Sequence, residues 1–172
     1  EYTWVVDPLD GTISFAAGMP HFAVSIGLLK NNQPILGAIY HVLTKDLYWT
    51  EVDQGTYLNG KLIHVSKQDN LSAAVMCIDS GHKKRRIPKI DLYIVPLLKE
   101  VGYIYSIGSA VMCMALVARG IQDGMAAQGF IWDFLAGAII VREAGGKVTD
   151  FEGNEPHWTK ERLNIVASNG LI

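Results

Sequence analysis

The stretch Gly55–Val65, "GTYLNGKLIHV", sets Asn59-Gly60 between two short apolar runs. Asn-Gly flanked by such runs is the strongest short-range signal for a hairpin. Working upstream, Asp46–Val52 and Pro34–His41 carry strand patterning and are separated by short polar breaks. Asn31-Asn32 marks the turn behind another strand, His21–Leu29, and Trp4–Val6 reads as a short apolar strand ended by Asp7-Pro8. The first half therefore predicts a largely antiparallel sheet.

Downstream the composition changes. "GHKKRRIPKID" (Gly81–Asp91) is polar and basic and reads as a surface connection. Leu92, Val95 and Leu98 give Asp91–Val101 a helical spacing, with Gly102 as its stop. "YIYSI" reads as a strand, Gly108-Ser109-Ala110 opens an apolar helix over Val111–Arg119, and Gly124–Gln128 is a further strand. Phe134–Glu143 is a helix closed by Gly145-Gly146, and Lys147–Asp150 and Asn164–Ala167 complete the strands. Strands and helices intersperse without strict alternation, which predicts a layered sandwich of the α+β class. The expected division is an antiparallel half over 1–80 and a smaller α/β half over 81–172.

The 172 residues suffice to bury a core, and 49% hydrophobic against 19% charged places the chain among globular proteins. A net charge of −2 gives no general pull toward nucleic acid or an anionic membrane, so any bound anion needs a local site. No apolar run reaches spanning length. Cys77 and Cys113 lie in apolar surroundings without CxxC spacing, which predicts two buried free thiols and suits a reducing cytoplasm. His21, His41, His64, His82 and His157 show no metal spacing and are assigned to strands and surface. The chain opens on Glu1 inside an apparent strand, as a piece of a longer protein would.

Chemistry concentrates at "WVVDPLDGTISF", Trp4–Phe15. Asp7 and Asp10 end a strand across a proline, and two carboxylates this close repel unless a proton or cation joins them. Hard oxygen ligands on a tight turn suit Mg²⁺, with the Leu9 carbonyl as a further ligand. The Gly11 and Thr12 amides would cradle phosphate oxygens if a helical turn starts there. The competing reading is a plain β-turn in which each Asp bonds its own backbone. A second cluster, "WDFLAGAIIVREAGG" (Trp132–Gly146), puts Asp133 at the start of a helix that is apolar nearly all round and so buried. Asp133 is open to two readings, a helix cap or a carboxylate that needs a partner. A divalent ion shared with Asp7 and Asp10 is the simplest such partner.

"DPLDGT" followed by "WDFLAGAIIVREAGG", with "GMPHFAVSIGLL", "GTYLNG" and "YSIGSAVMCMALVARGIQDGM" in order between them, resembles the inositol monophosphatase family over nearly the whole chain. That resemblance implies a layered αβαβα sandwich, incomplete here, and Mg²⁺-dependent, lithium-sensitive hydrolysis of phosphate monoesters. It implies Asp7, the Leu9 carbonyl, Asp10 and Asp133 as metal ligands for two or three Mg²⁺ ions. Thr12 and an acid such as Asp10 would activate the attacking water, and the Gly11 and Thr12 amides would seat the phosphate. Gly108, Ser109 and Ala110 would line the organic part of the substrate beside Asp133, against the alternative of a plain helix start. The implied partner is a small phosphorylated substrate, with no nucleic acid or membrane, and the implied assembly a homodimer.

Three departures qualify this. The family's upstream segment, with a metal-ligating glutamate, is missing, so the chain alone is expected to be impaired. Ala126, Ala127 and Gln128 stand where inositol-hydrolysing members carry a glutamate, and Ile13-Ser14 replaces Thr-Asn, so inositol 1-phosphate itself is in doubt. The basic run Lys83, Lys84, Arg85, Arg86 and Lys89 would reach a second phosphate or be a solvated loop. The alternatives are a fructose-1,6-bisphosphatase-like enzyme and a catalytically dead module of the same fold serving oligomerisation or ligand sensing.

Overall fold

In the computed structural model the two hairpin signals produce tight reversals. Asn31 and Asn32 take φ of 50° and 64°, and Asn59 and Gly60 take 49° and 80°. The model describes every residue except His82, and only the backbone over 83–85. The assignment of His82 to the surface thus lies outside the described residues.

These turns sit in a six-stranded sheet ordered as in the sequence: β1 (Tyr2–Asp10), β2 (Ala23–Lys30), β3 (Gln33–His41), β4 (Asp46–Glu51), β5 (Thr56–Leu58) and β6 (Lys61–Ile63). Every pairing is antiparallel. β1 runs beyond the expected Val6 and reaches Asp10, with its register to β2 broken between Asp7 and Asp10. A short helix α1 (Thr12–Ala16) follows.

A second sheet of five strands is ordered β10-β11-β9-β7-β8, from β7 (Val75–Ile78), β8 (Tyr103–Tyr105), β9 (Gly124–Phe130), β10 (Lys147–Thr149) and β11 (Arg162–Ser168). β7 pairs parallel to both β8 and β9, whereas the pairings of β11 are antiparallel. The sequence reading missed β7. It lies inside the sheet, so its apolar residues do not alternate with polar ones.

Helices α4 (Ala110–Ala118) and α5 (Ile131–Glu143) pack on each other and on strands of both sheets. This position explains why both are apolar on nearly every face. Phe134, Leu135 and Ile140 are fully buried on α5, each contributing about 1.5–3 kcal/mol of transfer free energy. Close approach depends on glycine: a Cβ on Gly37 would lie 2.4 Å from the Ala136 carbonyl oxygen, and one on Gly27 2.8 Å from Leu135. Gly27 and Gly37 are register partners, so together they form the trough in which α5 sits.

The basic stretch is not a loop. Its backbone forms α2 (Lys83–Lys89), which continues through a π-helical turn at Ile90–Ile94 into α3 (Val95–Glu100). Tyr93 and Ile94 pack on Ile78 and Ala126 of the five-stranded sheet, and this apolar anchor is what the charge run concealed. The layers therefore run sheet, helices, sheet, helix. Among the described residues no helix is long and apolar enough to cross a membrane.

Candidate metal centre

The break in register after Asp7 turns the end of β1 inward. Leu9 N–H donates to Asp7 Oδ1 at 2.9 Å, the local Asx bond that the turn reading foresaw. Gly11 then takes φ of 80°, and a Cβ there would stand 2.3 Å from the His21 carbonyl oxygen. Only glycine fits, and the chain enters α1 at Thr12 as the sequence suggested.

Asp133 arrives from the other motif. In β2, Ser25 is the register partner of Asp7, and its hydroxyl donates to the Trp132 carbonyl at 3.4 Å. This bond sets the first turn of α5 beside Asp7. Asp133 is the third residue of that helix, and its Oδ2 accepts Phe130 N–H at 2.7 Å. The capping reading is thus correct for one oxygen. A Cβ on Gly129 would stand 2.4 Å from that oxygen, so Gly129 makes room for the carboxylate.

One carboxylate oxygen from each of Asp7, Asp10 and Asp133 lies within 4.8 Å of the others. Burial pushes the Asp10 carboxyl up to about 7, opposed by the Ser109 hydroxyl and reinforced by the charges of Asp133 and Asp7. Burial likewise raises Asp133 to about 6, opposed by Phe130 N–H and reinforced by Asp7 and Asp79. Three hard oxygens that resist joint ionisation fit a divalent cation such as Mg²⁺.

Asp10 is nearly fully buried and is held from a distant element. Ser109, the N-cap of α4, donates its hydroxyl to Asp10 Oδ2, and Val111 N–H adds a bond of 3.2 Å. The same Ser109 oxygen accepts Met112 N–H at 3.1 Å. Ser109 therefore both starts a helix and orients an acidic side chain. Neither reading of Gly108-Ser109-Ala110 foresaw that second bond.

A cavity of about 450 Å³ is lined by Asp10 and Asp133 together with Gly108, Ser109 and Ala110, whereas Asp7 is not among its lining residues. Leu9, Gly11 and Thr12 are not among its lining residues, and Thr12 is exposed. Asp79, Arg86, Lys89, Gln128 and Arg162 complete the wall. Lys89, read either as reaching a second phosphate or as part of a solvated loop, is buried on the cavity wall and ion-paired with Asp79. Any reach of Lys83, Lys84 and Arg85 toward the cavity lies outside the described residues. Asp79 was missed together with β7. The clue available was an apolar run, "AAVMCI", ending in Asp-Ser-Gly, as at the carboxyl end of a parallel strand.

Cys77 of β7 and Cys113 of α4, expected as two separate buried thiols, are brought together with Cα atoms 6.2 Å apart, within a disulfide's reach. Sequence gave no cue because the pairing depends on how those two elements dock.

The sequence model described as the inositol monophosphatase family matches residues 1–171. A fructose-1,6-bisphosphatase/inositol-1-monophosphatase of Aquifex aeolicus is 41% identical over 151 residues, 87% of this chain and 57% of its own. An inositol monophosphatase of Mesembryanthemum crystallinum is 39% identical over 176 residues, 100% of this chain and 64% of its own. The solved inositol monophosphatase of Anabaena (Nostoc) superposes with a TM-score of 0.92 at 36% identity, covering 100% of this chain and 71% of that one. The chain thus spans about three fifths of the length of the curated relatives it matches.

Proposed function

The chain belongs to the inositol monophosphatase family, and on that premise we propose that it carries the metal and phosphate portion of a Mg²⁺-dependent phosphomonoesterase for small sugar or polyol phosphates. The observation that carries this reading is the meeting of Asp7, Asp10 and Asp133 within 4.8 Å, with Asp10 and Asp133 on the wall of the cavity. Mg²⁺ held by these carboxylates and the Leu9 carbonyl would supply Lewis-acid polarisation of the ester phosphate and a lowered pKa for water.

The remaining work falls to the chain's own groups. The amides of Gly11 and Thr12, at the start of α1, receive phosphate oxygens, and the Thr12 hydroxyl with Asp10 orients the attacking water. Ser109 and Val111 N–H hold Asp10 in place, which keeps its carboxylate aimed during turnover. Gly108, Ser109 and Ala110 border the organic part of the substrate. Relatives whose names include fructose-1,6-bisphosphatase favour a second reading, in which the substrate carries two phosphates. Arg86 and Arg162 on the cavity wall support it. The proposed assembly is a cytoplasmic homodimer, which sedimentation and fractionation test.

Metal binding is the first test. The chain should bind Mn²⁺ as a paramagnetic substitute for Mg²⁺, and Asp7→Asn should weaken it by about 10–100-fold. Equal affinity in both proteins removes the site assignment. Phosphate release from inositol 1-phosphate and fructose 1,6-bisphosphate, with and without lithium, is then compared with the Aquifex aeolicus relative. The 172-residue chain alone should be slower by at least about 100-fold, because the resemblance assigns a further ligand and base outside these residues.

A further inference from the structure

Lys89 is a buried ammonium that the proposed reaction does not use. Its side chain is 5% exposed, lies on the cavity wall and is ion-paired with Asp79, whose side chain is 36% exposed. Asp79 follows β7, which pairs with β9 through Ile78 and Ala126, and its N–H donates to the Ala126 carbonyl at 3.1 Å. That register sets Asp79 beside Ala127, and β9 brings no charged side chain of its own to the cavity. Tyr93 O–H donates to the Asp79 carbonyl, and Gly81 N–H donates to Asp79 Oδ1 at 2.8 Å, so backbone and carboxylate are both fixed. Gly81 takes φ of 65°, and a Cβ there would stand 3.0 Å from Lys89 Nζ. Glycine at this point leaves room for the ammonium.

We infer that Asp79 and Lys89 form a binding site for two neighbouring hydroxyls on the organic part of the substrate, so that the preferred substrate is a phosphorylated polyol or sugar with a free vicinal diol. This rests on the reading of Asp7, Asp10 and Asp133 as the metal site of a phosphomonoesterase. Each Asp79 oxygen accepts one bond from the protein and has capacity for a second. Lys89 Nζ gives one of its three N–H donors to Asp79 and makes no other hydrogen bond to the described residues. The pair thus offers an acceptor beside a donor. One hydroxyl of the diol donates its proton to Asp79, and the oxygen of its neighbour accepts from Lys89.

Position and charge both suit that role. Asp79 lies outside the group of three acids, yet its charge reaches Asp133 and helps to raise that carboxyl. A substrate whose phosphate sits at the acids has its organic part in the cavity that Asp79 and Lys89 line. The charge of Lys89 is matched by Asp79, so a second phosphate brought to the pair would meet a carboxylate. A neutral diol meets no such repulsion, and the pair therefore selects hydroxyls over a second phosphate at this wall.

The test is calorimetric titration of the 172-residue chain in Mg²⁺. Its probes are inositol 1-phosphate, cyclohexyl phosphate, which has the same ring without hydroxyls, and inositol 1,4-bisphosphate. Inositol 1-phosphate should bind at least about tenfold tighter than cyclohexyl phosphate, because hydrogen bonds to charged groups are the strong ones. Asp79→Asn and Lys89→Met should each bring that ratio close to one. Each strands a charge and endangers folding, so an Asp79→Asn/Lys89→Met chain, which strands none, is measured beside them. A ratio near one in the unmodified chain overturns the diol site. So does a ratio that survives in the double variant, as it would if both ligands weakened alike through a merely structural role. Tighter binding of the bisphosphate than of inositol 1-phosphate, lost in the double variant, would give the pair to a second phosphate and overturn the diol site too. Cyclohexyl phosphate that gains nothing from Mg²⁺ overturns the metal reading, and the diol site with it.

Discussion

Asp10 combines opposing demands in one side chain. It is buried, it accepts two hydrogen bonds that favour its charged form, and it faces two other carboxylates. Burial and repulsion win, raising it to about 7, with Asp133 at about 6. The sign of the pH effect follows. Both groups bind protons more tightly folded than at their ordinary value of 3.8, so their contribution to stability is present in acid. It is lost as pH rises through about 6 and then about 7. In a chelator, the melting temperature of the chain should therefore fall with rising pH over that window more than that of Asp10→Asn. Saturating Mg²⁺ should abolish the difference, and Mg²⁺ affinity should itself rise over the same window as protons cease to compete. Parallel melting curves for the two proteins would sink the assignment. Asp7, Asp10 and Asp133 were legible as a set because acids beside apolar segments demand a partner. Ser109 as the group behind Asp10 was not, since its bond spans 99 positions.

Elements show the same division. α5 was readable as buried because its residues are apolar nearly all round, and Phe134–Val141 are indeed buried. What it packs against was not readable. Gly27 and Gly37 fall mid-strand, where glycine ordinarily weakens a strand, and only the seated helix explains them. Replacing Gly37 by Ala drives a methyl group into the Ala136 carbonyl, and overpacking of this kind costs about 1–3 kcal/mol. For a chain of this size the melting temperature should fall by about 2–4 °C per kcal/mol. Calorimetry checks this, and an unchanged melting temperature would mean that α5 does not lie in the trough. β7 and α2 were misread for a shared reason. Neither sequence shows the alternation of an exposed and a buried face: β7 lies inside its sheet between β9 and β8, and α2 is charged along the run that precedes its apolar anchor.

At the scale of the molecule, the six-stranded sheet has one face on the helices and one face that is apolar and exposed. Tyr2, Trp4 and Val6 of β1, Leu47 and Trp49 of β4, and Leu62 of β6 all present large apolar surface to solvent. Register places them on one side, with Trp49 paired to Tyr57 and stacked on its ring at 4.9 Å. A continuous apolar patch of this kind recruits other apolar surface. The 172-residue chain should bind the dye ANS in its native state and associate as concentration rises. A Trp4→Lys/Trp49→Lys chain should lose most of both at unchanged circular dichroism. Native protein that stays dark and monomeric would show the face to be less sticky than its composition implies. By itself the sequence determined the family, the antiparallel first half, the apolar central helix and the three acids. Each follows from local spacing or from motifs contiguous in the chain. Tertiary structure alone decided that Cys77 meets Cys113, that Lys89 is buried on Asp79, that Ser109 holds Asp10 and that glycines make the trough for α5. Those contacts join residues remote in the chain, and no local pattern records how sheets and helices dock.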